Sequence, residues 1–188
     1  MIKTLCIASF ALAANAAALA QPAAVLVPAQ SEIGFVSTQM GVPVDGHFGR
    51  FDAQIALDPK HPETGRVAID IATASATLGV PETDAELPKP NWFGSAKFPR
   101  ASFRSSAIKV LGGGRFEVAG TLTVKGSAQP LVVPVQLTQS AGTSIARGSF
   151  TIKRLAFHIG EAEWADTSLV ANDVLVRFKL TLTGLAPL

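Results

Sequence analysis

From Phe116 to Lys125, apolar and polar positions alternate without a break. Phe116, Val118, Gly120, Leu122 and Val124 share one parity, and Glu117, Ala119, Thr121, Thr123 and Lys125 share the other. A period of two sends successive side chains to opposite faces, which predicts a strand with one dry and one wet side. Gly112-Gly113-Gly114 before it and Lys125-Gly126-Ser127 after it are turn chemistry, since glycine takes positive φ without a steric cost. Leu131, Val133, Val135 and Leu137 give the next apolar face, so residues 98–137 read as a three-stranded meander. Pro130 and Pro134 fall on its opposite parity. Proline cannot donate to a ladder, and this strand is expected at an edge or with a bulge.

The same period recurs along the chain. Ile33 and Phe35 alternate with polar or small neighbours in Ser31–Val36. A connection over Met40–Asp45 leads to Gly46–Arg50, followed by strands carrying Phe51, Ala53, Ile55 and Leu57, then Val67, Ile69, Ile71 and Thr73. Gly148, Phe150 and Ile152 share a face near the end, as do Val174, Val176, Phe178, Leu180 and Leu182. About eight short strands at regular spacing predict an all-β barrel or sandwich. One stretch breaks the rhythm, an insertion at about 81–96. There Thr83 is placed to cap one helical turn before Pro88 and Pro90, and Trp92-Phe93 follow as a plug or a rim.

The outward parity holds Asp52, Gln54, Arg66, Asp70, Glu117, Thr121, Thr123, Lys125, Arg177, Lys179 and Thr181. A barrel in an outer membrane would be apolar outside and polar within. The opposite arrangement here predicts a water-exposed barrel with a greasy inside, wide enough for side chains to fill or for one slender ligand. Gly120 and Gly148, on the inner parity, are read as leaving room.

Residues 1–20 read as a signal peptide: Lys3 first, an apolar run over Leu5–Ala14, then the small-x-small site Ala18-Leu19-Ala20. The expected mature chain, 21–188, is one domain in the periplasm. Its formal charge falls from +2 to +1 with Lys3 removed, which gives no reason to expect nucleic acid or stable membrane insertion. The single cysteine, Cys6, leaves with the signal, taking thiol catalysis, disulfides and thiolate metal sites with it. Tyrosine is absent and phenylalanine numbers 11, aromatic content without hydrogen-bonding groups that suits a dry interior.

Catalytic signals are thin. His47, His61 and His158 lack ligand spacing, no Gly-x-Ser-x-Gly elbow is present, and Gly112–Gly114 lacks the Lys-Ser/Thr of a phosphate loop. No enzyme, metal site or resident cofactor is expected. Glu161, Glu163, Asp166 and Asp173 read as solvated loop charges. Arg154, Trp164 and Asp166 are read either as a polar mouth beside apolar walls or as a structural Arg–Asp pair tying down a loop.

Six motifs in order resemble the YceI-like family, secreted bacterial proteins with a lipocalin-like barrel. They are Ser31-x-Ile33-x-Phe35; Val44-x-Gly46-x-Phe48-x-x-Phe51; Trp92-Phe93 through Phe98-Pro99; Phe103 with Ser105; Gly120-x-Leu122-Thr123-x-x-Gly126 with Pro130; and Arg154-x-x-Phe157. The last departs from the family pattern, since His158 splits the usual Phe-Gly and Ala156 stands where an acidic residue is common. The resemblance implies an eight-stranded antiparallel lipocalin-like barrel and a bound isoprenoid lipid, a polyprenyl phosphate or the tail of an isoprenoid quinone. Phe35, Phe48, Phe51, Phe103, Phe116, Phe150 and Phe178 are then the candidate wall, with Trp92, Phe93, Arg154, Trp164 and Asp166 at the rim. Two alternatives stay open: a soluble partner of a membrane quinone-linked redox protein, or a ligand-free stress-response module with a filled core. Transient contact with a membrane or a membrane protein stays open as well, and so does the oligomeric state, a dimer included.

Overall fold

The computed structural model describes residues 23–188, so the expected signal segment lies outside the described residues. Eleven strands follow in chain order: β1 Ala23–Leu26, β2 Glu32–Gln39, β3 Val42–Phe48, β4 Phe51–Ala56, β5 Arg66–Ala72, β6 Ala76–Thr77, β7 Arg100–Gly112, β8 Arg115–Val124, β9 Ser127–Ser140, β10 Thr143–Lys153 and β11 Asp173–Thr183. All pair antiparallel, in the order β1-β4-β5-β7-β8-β9-β10-β11, and β11 returns to β1. The result is a closed eight-stranded barrel with extra strands and almost no helix.

Closure depends on a division of labour along β11. Leu182 and Thr183 pair with β1, while Leu175–Lys179 pair with β2. The ring is therefore shut by β1 at one end, here called the lower end. At the upper end the β2–β3 hairpin takes over the wall, and β6 is added to its outer edge.

The meander appears as predicted, β7 to β9. The turns Gly113-Gly114 and Lys125-Gly126 both take positive φ, the hand that matches strand twist. The expectation for the proline strand holds over half its length. β9 pairs with β10 only from Gln136 to Ser140, and its first half has a partner on the β8 side alone. A β-carbon added at Gly148 would overlap the Pro134 carbonyl oxygen, so the polar edge of Pro134 faces β10. Pro130 falls on the same parity, and neither ring nitrogen can continue the ladder.

Several expectations are corrected. Met40–Asp45 is not a loose connection, because Val42–Asp45 belong to β3 behind a two-residue turn in which Met40 and Gly41 both have positive φ. The single helical turn, α1, is Pro81–Asp84 with proline in its first turn, three residues earlier than a Thr83 cap requires. Thr181 is on the outer parity yet buried. The 28–31 segment folds over it, its hydroxyl donating to the Gln30 carbonyl while its N–H donates to Ser31 Oγ. Gly120 and Gly148 do not leave room. A β-carbon at Gly120 would collide with the Arg104 carbonyl and the Phe103 ring, and one at Gly148 with Pro134 and the Phe178 ring. Glycine is needed there for close approach of backbone and aromatic rings.

The inner faces form two apolar clusters. The lower gathers Ile33, Ile55, Phe116, Leu137 and Leu182, and the upper gathers Leu87, Phe93, Leu122, Val124, Phe157 and Ile159. Gly148→Val is expected to cost roughly 1–3 kcal/mol of stability through overpacking, read from the urea midpoint. Ser149→Val, on the exposed face next to it, should stay within about 0.5 kcal/mol.

Candidate functional site

The barrel is hollow. An upper cavity of about 420 Å³ lies beneath the insertion and the loop after β10. A lower cavity of about 130 Å³ is lined by aliphatic and phenylalanine side chains alone. Ile33, Ile71, Leu122, Phe150 and Val176 belong to both walls and form the waist between them. A void walled in this way stays dry, because a water there would find no hydrogen-bond partners.

The predicted wall residues divide between the chambers. Phe103, Phe116 and Phe178 line the lower one, Phe35 and Phe48 the upper one, and Phe150 both. Phe51 packs against the lower cluster and lines neither. The waist aliphatics Ile33, Ile71, Leu122 and Val176 read from the sequence as inward-facing but not as candidate wall, and Leu185 is not named there at all.

Polar groups gather only at the upper end. Phe93 is buried, its ring 5.8 Å from that of Phe48. Trp92 stands against Trp164, ring centroids 5.6 Å apart, and the indole N–H of Trp92 is buried with no hydrogen-bond partner. Ser37, Gln39, Glu82, Thr83 and Glu86 complete the mouth together with Val170. Glu86 pairs with Lys89, and Asp84 turns back to accept from the Thr77 hydroxyl and the Leu78 N–H, contacts that hold its carboxyl below the usual range.

Arg154 also borders the upper cavity, but with only 1% of its surface exposed it is committed to the protein. Nε donates to the Ala171 carbonyl, Nη1 to those of Ile159 and Gly160, and Nη2 to those of Trp164 and Val170. All five guanidinium donors are thereby used. Burial lowers its pKa from the ordinary arginine value. The Arg–Asp pair considered from sequence is not formed. Asp166 is exposed, lines neither chamber, and accepts from the Ser168 N–H and hydroxyl.

Two charges expected to be freely solvated are joined instead. Lys125 lies on the outer parity, yet its side chain is only 7% exposed. Its ammonium donates to the His158 carbonyl at 2.6 Å and to Glu161 at 2.7 Å. This contact ties the β8–β9 turn to the loop roofing the cavity. The hydrogen bond from Lys125 holds the Glu161 carboxyl below the usual range.

Closed antiparallel barrels with a dry chamber and a partly polar mouth form a class of small-ligand-binding scaffolds. Within it, the family model for the YceI-like domain matches residues 25–182, and the chain belongs to that family. It is similar to BcnA of Burkholderia cenocepacia, at 39% identity and a TM-score of 0.81, covering 84% of this chain and 99% of that one. A polyisoprenoid-binding domain from Saccharophagus degradans, implicated in plant cell wall breakdown, shares the fold at 18% identity and a TM-score of 0.67, over 88% and 98% of the two chains. A UPF0312 protein of Vibrio cholerae is 27% identical over 106 residues, 56% of each chain, so this chain spans about half the length of the curated relatives it matches.

Arg154→Lys keeps the charge but can satisfy at most three of the five carbonyls. It is expected to lose about 3 kcal/mol or more in urea unfolding, with neutral replacements faring no better. For the Lys125–Glu161 tie the direction follows from the depressed carboxyl. The tie is present at neutral pH, persists below the ordinary carboxylate range, and is lost as pH falls through the lowered value. Trp164 belongs to that loop and Trp92 stands against it, so their emission should change as pH falls through the lowered Glu161 value, and Glu161→Gln should remove that step from the titration.

Proposed function

We infer that this protein binds an isoprenoid lipid in its barrel and works as a carrier rather than an enzyme. One observation carries the reading: a two-chamber cavity, long along the barrel axis, whose lower part is lined by apolar side chains alone. Each buried CH₂ gains roughly 0.8 kcal/mol over water, so a branched hydrocarbon chain in this space is held firmly against release into solvent. Against a bilayer, which is as apolar as the cavity, the net gain is near zero, and loading becomes reversible. A carrier needs that balance and no reacting side chain. The neighbour described as a polyisoprenoid-binding domain supports the same ligand class, and the N-terminal residues support export to the periplasm as the place of action. The ligand's head group rests at the mouth by Trp92 and Trp164, and its chain passes the waist into the lower chamber.

Solvent extraction of the purified protein followed by mass spectrometry tests the reading, with an isoprenoid expected in the extract. Val176→Phe fills the waist without touching the mouth. It should lower the affinity for added isoprenoid at least about tenfold while the protein still melts cooperatively. A wild-type barrel that stays empty and takes up no isoprenoid would overturn the reading.

A further inference from the structure

The upper end carries a surface that the cavity alone does not explain. At the tip of the β2–β3 hairpin, Met40 is 78% exposed and Val42 61% exposed, and beside them Leu169 is 40% exposed. The three belong to one patch. The Met40 N–H donates to the Leu169 carbonyl at 2.8 Å, the Ala171 N–H donates to the Thr38 carbonyl, and Gln39 bridges to Val170. Gln39 and Val170 themselves line the cavity. Val42 lies on the same strand face as Phe48, which also lines it, so the inner apolar face of the hairpin runs past the mouth into the open.

The patch is also free of charge. Neither Ser37–Val44 nor Thr167–Asn172 contains an ionisable side chain. The charges that flank it are mostly neutralised in place, Asp45 by Arg177 and Asp173 by Lys153, while Asp166 is occupied by Ser168. Across the mouth stand the carboxylates of Glu82 and Glu86. A surface so built has little to desolvate, nothing to attract an anionic partner, and three apolar side chains free to insert.

We propose that the Met40–Val42–Leu169 rim is a docking surface for the uncharged interfacial layer of a lipid bilayer, which sets the cavity mouth against the membrane for lipid transfer. The proposal rests on the carrier reading above, which supplies the reason for a lipid source at this end. Inserted apolar rims at a mouth allow cargo to pass between two apolar phases without crossing water, the step that otherwise limits exchange.

The test uses the full mature chain and geranylgeraniol as probe, supplied in two ways: from ethanol, and within phosphatidylcholine vesicles removed by flotation before the protein-bound probe is measured. In a Met40→Ser, Val42→Thr, Leu169→Ser variant, uptake from ethanol should stay within about twofold of wild type, which also reports an intact fold. Uptake from vesicles should slow by about tenfold or more. Wild-type transfer should be insensitive to salt and not accelerated by phosphatidylglycerol. Vesicle uptake unchanged in the variant overturns the docking surface and leaves the carrier reading standing, as does transfer that depends on anionic lipid. Failure of the wild type to bind the probe from ethanol overturns the carrier reading and the docking proposal with it.

Discussion

Five carbonyl oxygens converge on one guanidinium, and the upper half of this barrel depends on that convergence. The loop between β10 and β11 has to cross the mouth of a largely apolar cavity, where backbone carbonyls cannot all find water. Arg154 collects those of Ile159, Gly160, Trp164, Val170 and Ala171, which fixes both limbs of the loop with a single side chain. Arginine suits the task because its five donors lie in one plane and its charge is weakly hydrated, so burying it costs less than burying an ammonium. The bonds are charge-assisted, about twice as strong as neutral ones. A roof held this way can enclose space without filling it.

That space sets the balance of the whole fold. An apolar void costs stability, because its lining side chains lack neighbours on one side. The closed ladder offsets the cost: all eight ring strands have partners on both sides over part of their length, and β1 alone supplies closure by pairing with β4 through Ala23 and Ala24 and with β11 through Val25 and Leu26. Where the ladder is incomplete, along the first half of β9, prolines block further pairing on the open side. Proline on an open edge also discourages pairing with a second chain.

Much of this was legible in the alternation of residues. Phe116, Val118, Leu122 and Val124 face inward as their parity requires, and the meander and its turns follow from local signals of that kind. Alternation alone leaves barrel and sandwich open, and the family resemblance chooses the eight-stranded barrel. What escaped depended on residues distant in the chain. β1 is four residues of small and aliphatic side chains with no alternation to mark it, and only its neighbours β4 and β11 make it a strand. Thr181 reads as hydrated until Ser31, 150 positions away, is folded onto it. The sequence nominated Arg154 for a polar site and considered a carboxylate as its partner. Backbone carbonyls leave no trace in a sequence, so its actual partners could not have been named.

The two ends of the barrel consequently do different physical work. At the lower end the ring is complete, and the narrow chamber inside admits only hydrocarbon. At the upper end the wall is a hairpin, the roof is a loop pinned by one cation, and the Lys125–Glu161 tie crosses to β8 from the side where β9 and β10 have parted. A loosely roofed barrel would admit water and lose its apolar interior. The polar groups that border the cavity are gathered at the mouth and the roof, which leaves the lower chamber lined by hydrocarbon alone.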